Sequence, residues 1–266
     1  MKKKEHIKRQ IKDQEIEHDV EGEDCTHHEF TRVYAIQKTF NKVTFKQCNL
    51  LSCYFRNCRF IDCDFIGAIF KETNLIGSQF VNCNLKYTFW DKTIVDEAIL
   101  GSCLPPEENL ARDLVRSLRV NFAQIGNFQA VNKAAAIEVK LTGKHLFNAA
   151  YSKQGYYRKK YTGLARLRMC LEHAKWKVLD LLWGNGESLL RVMIWGIVTM
   201  LAFAIIFLLK YPERTFWENV GSAVSVFWGV KAQHDVSAAF AVPATILRFF
   251  LFGLFMAILI KRLSRR

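Results

Sequence analysis

From Phe40 onward, one side chain in every five is large and apolar. Phe40, Phe45, Leu50, Phe55, Phe60, Phe65, Phe70, Leu75, Phe80 and Leu85 hold this register without a break, and Trp90, Val95 and Leu100 continue it more loosely. Two places earlier in each unit stands a small or modest side chain: Val43, Cys48, Cys53, Cys58, Cys63, Ala68, Thr73, Ser78, Cys83, Thr88, Thr93 and Ala98. A helix repeats about every 3.6 residues and a strand about every 2, so neither accounts for a period of five. Each large apolar residue contributes roughly 1.5–3 kcal/mol when buried. A run of this length can therefore hold a rod together with few other contacts.

The pattern resembles the pentapeptide-repeat family. The resemblance implies a right-handed quadrilateral β-helix over residues 30–104, with four five-residue sides per coil. Residues twenty apart would then stack. Phe40, Phe60, Phe80 and Leu100 form one column and Phe45, Phe65 and Leu85 another; Leu50, Phe70 and Trp90 make a third, and Phe55, Leu75 and Val95 a fourth. Such a rod needs covers at its ends, which the charged tail 1–29 and the helices after Pro105 are expected to supply. Eight cysteines occur, and Cys48, Cys53, Cys58, Cys63 and Cys83 share the small position. With no Cys-x-x-Cys pair and no zinc spacing, they are expected to pack as small hydrophobes. Cys63, Cys83 and Cys103 would share a column, and no cofactor or metal is expected.

Pro105 and Pro106 end the repeat, and a helical period takes over. Leu110, Leu114, Leu118, Phe122 and Ile125 line one helix face; Gly126 and Asn127 mark a turn. Phe128, Val131, Ala135 and Val139 begin a second helix ending near Gly143, so residues 105–155 read as a helical hairpin connector. Residues 156–187 read as a basic interfacial helix. Leu164, Leu167, Leu171, Ala174, Val178 and Leu181 make its apolar stripe, and its basic residues face the anionic inner leaflet of a bilayer.

Residues 188–266 differ in kind. Within them 192–209 is uncharged (VMIWGIVTMLAFAIIFLL), long enough to cross a hydrocarbon core at about 1.5 Å per residue. Residues 238–260 form a second such stretch with a single charge, Arg248. The segment between them is too short for a third crossing. Span, partial dip, span predicts an integral membrane protein, since two helices apolar on all sides have no partner in a soluble chain. The net charge is +13, and its basic clusters flank the spans. Arg158, Lys159, Lys160, Arg166, Arg168, Lys175, Lys177 and Arg191 precede the first, while Lys261, Arg262, Arg265 and Arg266 follow the second. The positive-inside rule then puts both termini in the cytosol. Residues 1–29 are charged throughout and lack the apolar core of a signal peptide, which agrees. Charge gathered at the spans argues against a nucleic-acid partner, and no nucleophile motif, phosphate loop or carboxylate pair argues for an enzyme.

The order of parts resembles the two-span potassium-channel pore domain of bacterial proteins that join it to pentapeptide repeats through a helical linker. GNGESLLR (184–191) is similar to the G-x-G-E-x-P-x-R entry of those proteins. Residues 118–141, with Gly126, Asn127 and Glu138, are similar to their linker, and IKRLSRR (260–266) also fits. The resemblance implies a homo-oligomer, a tetramer, in a bacterial cytoplasmic (inner) membrane, with 216–228 as a re-entrant pore helix. The family's filter is T-x-G-Y-G, whose carbonyls replace the hydration shell of potassium. Here the same place holds Phe227, Trp228, Gly229, Val230 and Lys231, and only Gly229 matches. Lys231 adds positive charge where a glycine would give access to positive φ.

Arg248 inside a span costs roughly 2.5–3.5 kcal/mol. It is expected either to line a pore or to pair with Glu213, Glu218 or Asp235. His234 and Asp235 read as a solvated outer turn. The expectation is an ion-conducting pore with a degenerate filter and a cytosolic β-helix. The alternative is a non-conducting, membrane-anchored scaffold whose β-helix offers outward residues such as Lys42, Lys46, Arg56, Arg59, Asp62, Asp64 and Lys71 to a cytosolic protein partner.

Overall fold

The computed structural model describes residues 9–230 and 236–264. Its described residues divide into two compact units, one running to Met169 and the other Cys170–Ser264. The first winds as a β-solenoid of about 4 coils before turning helical. Short parallel strands stack on one side as Gln10–Lys12, Glu29–Thr31, Asn49–Leu51, Ile69–Lys71 and Phe89–Asp91. Val20–Glu21, Thr39–Asn41, Arg59–Ile61 and Gln79–Val81 stack on another. A third side pairs Tyr34–Ile36 with Tyr54–Arg56, and single bridges through Asp24, Thr44, Asp64 and Asn84 make the fourth. Phe40 faces Phe60 and Phe60 faces Phe80, so residues twenty apart do stack. The rings lie nearly parallel within a column, with centroids 4.9 Å apart for Phe40 and Phe60, 5.0 Å for Phe60 and Phe80, and 4.1 Å for Phe70 and Trp90.

The corners explain the period. From Gly22 to Lys92 every fifth residue has positive φ, and only Gly22, Gly67 and Gly77 among them are glycine. Each left-handed non-glycine costs about 1–2 kcal/mol. Against this, its N–H donates to the next coil, as in Lys42 to the Ile61 carbonyl at 2.9 Å and Asp62 to the Val81 carbonyl at 3.0 Å. Gly77 has a second reason to lack a side chain: a Cβ there would meet the Asn57 side chain.

The small inward position does more than save space. Its thiol or hydroxyl donates to a carbonyl of the preceding coil: Cys63 to Phe40 at 3.3 Å, Thr73 to Leu50 at 3.0 Å, Ser78 to Phe55 at 2.7 Å. It also accepts from a backbone N–H twenty residues earlier, as Ser78 Oγ does from Cys58 at 3.0 Å and Cys103 Sγ from Cys83 at 3.4 Å. Cys, Ser and Thr alternate here because each offers one donor and one acceptor in a small volume.

Residues 10–29 correct the expectation of a charged tail, because they form the first coil. Gln10 faces Glu29 and Glu15 faces Tyr34, nineteen residues on, whereas Val20 faces Phe40, twenty on. One residue is thus missing between Glu15 and Val20. Ile11, Ile16, Val20 and Cys25 fill the inward positions, and the charges point outward.

At the other end the solenoid is covered by helix. After α1 (Ile99–Ser102), α2 (Glu108–Gln124) packs Leu114, Leu118 and Phe122 onto the rod's core. Ser117, Asn121 and Gln124 share a helix face, and their oxygens accept from the last coil's N–H groups. The distances are 3.2 Å from Trp90, 2.7 Å from Thr93 and 3.1 Å from Lys92. Asn121 Nδ2 returns a bond to the Thr93 carbonyl at 2.8 Å, so one helix supplies what a further coil would have supplied.

Asn127 caps α3 (Phe128–Tyr151), which runs on through Gly143, where the sequence pattern had placed its end. The expected interfacial helix is broken at Tyr161 and Thr162 into α4 (Gly155–Lys160) and α5 (Gly163–Trp183). Arg158 and Arg166 donate to the Ala149 and Ala150 carbonyls at the end of α3, at 2.7 and 2.9 Å. Buried Glu108 accepts from Tyr157 Oη at 2.8 Å and from Asn148 Nδ2. Burial opposes its charge. Its own backbone N–H, the Tyr157 hydroxyl, Lys144 and Asn148 prevail and hold the carboxyl below its ordinary value. Burial and the same carboxylate push Tyr157 up to about 12.

Asn121→Ala orphans the N–H and C=O of Thr93 and should cost about 1–3 kcal/mol, read as a lowered Tm of the full chain in detergent. Val120→Ala, on the exposed side of the same helix, should change little. Glu108 stabilises the fold fully above its unfolded pKa, and that contribution is lost as pH falls through the depressed folded value. Glu108→Gln should therefore lower Tm at pH 7, with the gap to the parent narrowing as pH falls through the depressed folded value.

Candidate functional site: the helical hairpin of the second unit

Three helices follow α5: α6 (Leu189–Lys210), α7 (Phe216–Trp228) and α8 (Ala238–Leu263). α6 and α8 are long and apolar enough to cross a membrane, with mean hydropathy 2.7 and 2.1. Most of their apolar surface is turned out of the unit. Ile197, Leu201, Ile205 and Leu209 on α6 stand exposed, as do Val242, Ile246, Phe249 and Phe250 on α8. The contacts inside combine small residues with a few large ones. Ala204, Ala223 and Ala244 let the three helices approach around Phe207 and Val226, while Val192, Phe227, Leu251 and Ile258 form a second cluster.

α7 is short and firmly started. Thr215 and Glu218 form a reciprocal capping box, the Thr215 N–H and hydroxyl donating to Glu218 Oε2 at 2.7 and 2.9 Å. Glu218 is thereby engaged at the helix start, and Glu213 lies 4.0 Å from Arg214. Neither serves Arg248 as the expected counter-charge, and Asp235 lies outside the described residues, as do Lys231 and His234. Asn219 on α7 is fully buried, its Nδ2 donating to the Tyr211 and Arg214 carbonyls at 3.3 and 3.5 Å. Ser222, one turn on, is buried beside it.

The filter-like residues do not share a surface. Phe227 is 7 % exposed and packs into the second cluster, whereas Trp228 and Val230 are 63 % and 64 % exposed. Gly229 ends α7 in the left-handed region at φ 71°. Its missing side chain makes room for a cation. A Cβ there would meet Nη1 of Arg248 on α8, whose guanidinium also lies 4.8 Å from the Phe249 ring. Gly229 and Arg248 each stand out in the sequence, but nothing in its linear order joins them.

The opposite end of the hairpin is tied by charge. Lys261 on α8 reaches Glu187 at 2.6 Å and the Gly186 carbonyl at 3.3 Å, and Arg262 donates to the Glu187 carbonyl at 2.7 Å. Arg191 pairs with Asp180 at 2.9 Å, and Trp195 Nε1 donates to the Leu181 carbonyl at 3.0 Å. Gly184 and Gly186 both have positive φ. The stretch 184–191 is thus a knot joining the end of α5 to the start of α6 and the end of α8. Sequence pattern singled out the glycines, Glu187 and Arg191, but missed Asp180 as a partner.

Residues 40–86 match the family model described as Pentapeptide repeats, in 8 copies. The solenoid is built of pentapeptide repeats. Solved structures similar in part include Rfr23, a pentapeptide repeat protein from the cyanobacterium Cyanothece 51142. It is 12 % identical with TM-score 0.27, over 32 % of this chain and 69 % of that one. Another is QnrB1, a plasmid-mediated fluoroquinolone resistance protein, 20 % identical with TM-score 0.19, over 32 % of this chain and 43 % of its own. A third is a pentapeptide repeat protein from the Arabidopsis thaliana thylakoid lumen, 16 % identical with TM-score 0.16, over 41 % and 76 %. Among curated proteins none matches the chain.

Reversing Glu187 to Lys or Lys261 to Glu should each lower the Tm of the detergent-solubilised chain, and the double swap should recover most of the loss. The pair is part-exposed, so a coupling of about 0.5–1 kcal/mol is expected from the double-mutant cycle. A cycle that closes at zero would remove this ion pair from the forces holding the hairpin.

Proposed function

We propose that the chain forms an oligomeric, ion-conducting pore in a bacterial cytoplasmic membrane. α6 and α8 cross the bilayer, α7 dips into it, and the pentapeptide-repeat solenoid hangs in the cytosol as a regulatory or interaction domain. One observation carries the reading: a short helix bearing buried polar groups is wedged between two membrane-length helices whose outer faces are apolar. α7 has 13 residues, about 20 Å of helix, too short to cross. Asn219 Oδ1 and Ser222 Oγ are buried without a hydrogen-bond partner among the described residues. At membrane depth such groups are tolerated only inside protein or beside water. A second copy of the chain or a water-filled path would supply what they lack. α5 fits the inner leaflet, with Leu164, Leu167, Leu171, Val178 and Leu181 all exposed. Its Arg166, Arg168, Lys175 and Lys177 each contribute about 1 kcal/mol of attraction to anionic lipid.

A membrane-anchored scaffold is favoured by a different observation. Ile69 and Phe89, one coil apart, stand exposed on one solenoid side near exposed Tyr87, an apolar patch suited to a cytosolic protein partner. The two readings part on conductance. Purified full-length oligomer in planar bilayers should show unitary currents, and Lys231→Gly should change ion preference. Silence across voltage, lipid composition and pH would leave the scaffold standing and remove the pore.

A further inference from the structure

Arg248 bears on which ion such a pore would carry. The carboxyl end of a helix carries about half a negative charge, and a short re-entrant helix that ends at a permeation path ordinarily favours cations there. In this hairpin that place is taken. α7 ends at Gly229, and the Arg248 guanidinium occupies the space a side chain at Gly229 would fill. A full positive charge set against about half a negative one leaves the helix end net positive. Its neighbours on the described helices do not offset it. Between Glu218 and Lys261 no other described residue of α7 or α8 is charged, and α6 carries no charge between Arg191 and Lys210. Gly229, at φ 71° and without a Cβ, leaves the room the guanidinium takes, and the Phe249 ring 4.8 Å away lines its other side.

We propose that the path prefers small monovalent anions, of the chloride class, over potassium, with Arg248 at the carboxyl end of α7 as the residue that sets the preference. This rests on the pore reading given above and adds the substrate class to it.

The test is the reversal potential of the full-length oligomer in planar bilayers under a potassium chloride gradient. The parent should reverse toward the chloride equilibrium potential, with chloride favoured about tenfold or more over potassium, the effect of one charge a few ångströms from the path. Arg248→Gln should bring the ratio to within about threefold of unity, and Arg248→Lys, which keeps the charge, should retain the anion preference. Reversal of the parent toward the potassium potential, or at zero, overturns the inference and leaves the pore intact. So does an Arg248→Gln channel whose chloride preference is unchanged. Absence of any current overturns the pore reading, and this inference with it. The parent's own reversal needs no folded variant, so misfolding of Arg248→Gln leaves the test decisive.

Discussion

A parallel backbone ladder that advances one coil every twenty residues governs the first unit, and each of its other features keeps that ladder in register. The left-handed corners turn the chain and put their N–H groups onto the coil above. The thiols and hydroxyls of the small positions stitch the same corner from inside, donating one coil back and accepting from the backbone twenty residues earlier. Large residues then stack because their backbones already do. The strain of many left-handed residues is offset locally, coil by coil, which is how a rod with no layered core stays folded.

The second unit is held by other means. Two helices that turn most of their apolar surface outward keep little of it to hold them to each other, so close approach at a few small residues and a few polar ties add to what the buried clusters supply. Ala204, Ala223 and Ala244 give the first. The knot of Glu187, Lys261, Arg191 and Asp180 gives the second at one end, and the placement of Arg248 over Gly229 sits at the end of the wedged helix.

The five-residue period was legible because side-chain size reports it directly: Phe40 to Leu85 never miss a beat. The first coil was not, because Ile11, Ile16, Val20 and Cys25 are smaller, stand among many charges and lose one residue of phase between Glu15 and Val20. Gly143 looked like a stop, yet α3 continues to Tyr151, because a glycine in a long helix is a modest local cost rather than a terminator. Asn121 and Ser117 read as ordinary polar helix residues, since nothing in a linear sequence shows that they face unpaired strand N–H groups. The filter-like stretch was found by resemblance, which cannot tell that Phe227 turns inward while Trp228 turns out.

The short first coil has a consequence for the rod as an object. A stack of parallel strands offers the same template at its leading edge as in its middle, and an open edge invites another chain to join. Among the described residues that edge consists of Gln10–Lys12 and Val20–Glu21, two brief strands out of phase by one residue and bordered by Asp13, Glu15, Glu17 and Asp19. A newcomer matched to a regular twenty-residue pitch would meet mismatched hydrogen bonds and a fence of carboxylates. The missing residue thus sets the first coil one residue out of step with the twenty-residue pitch of every coil that follows it.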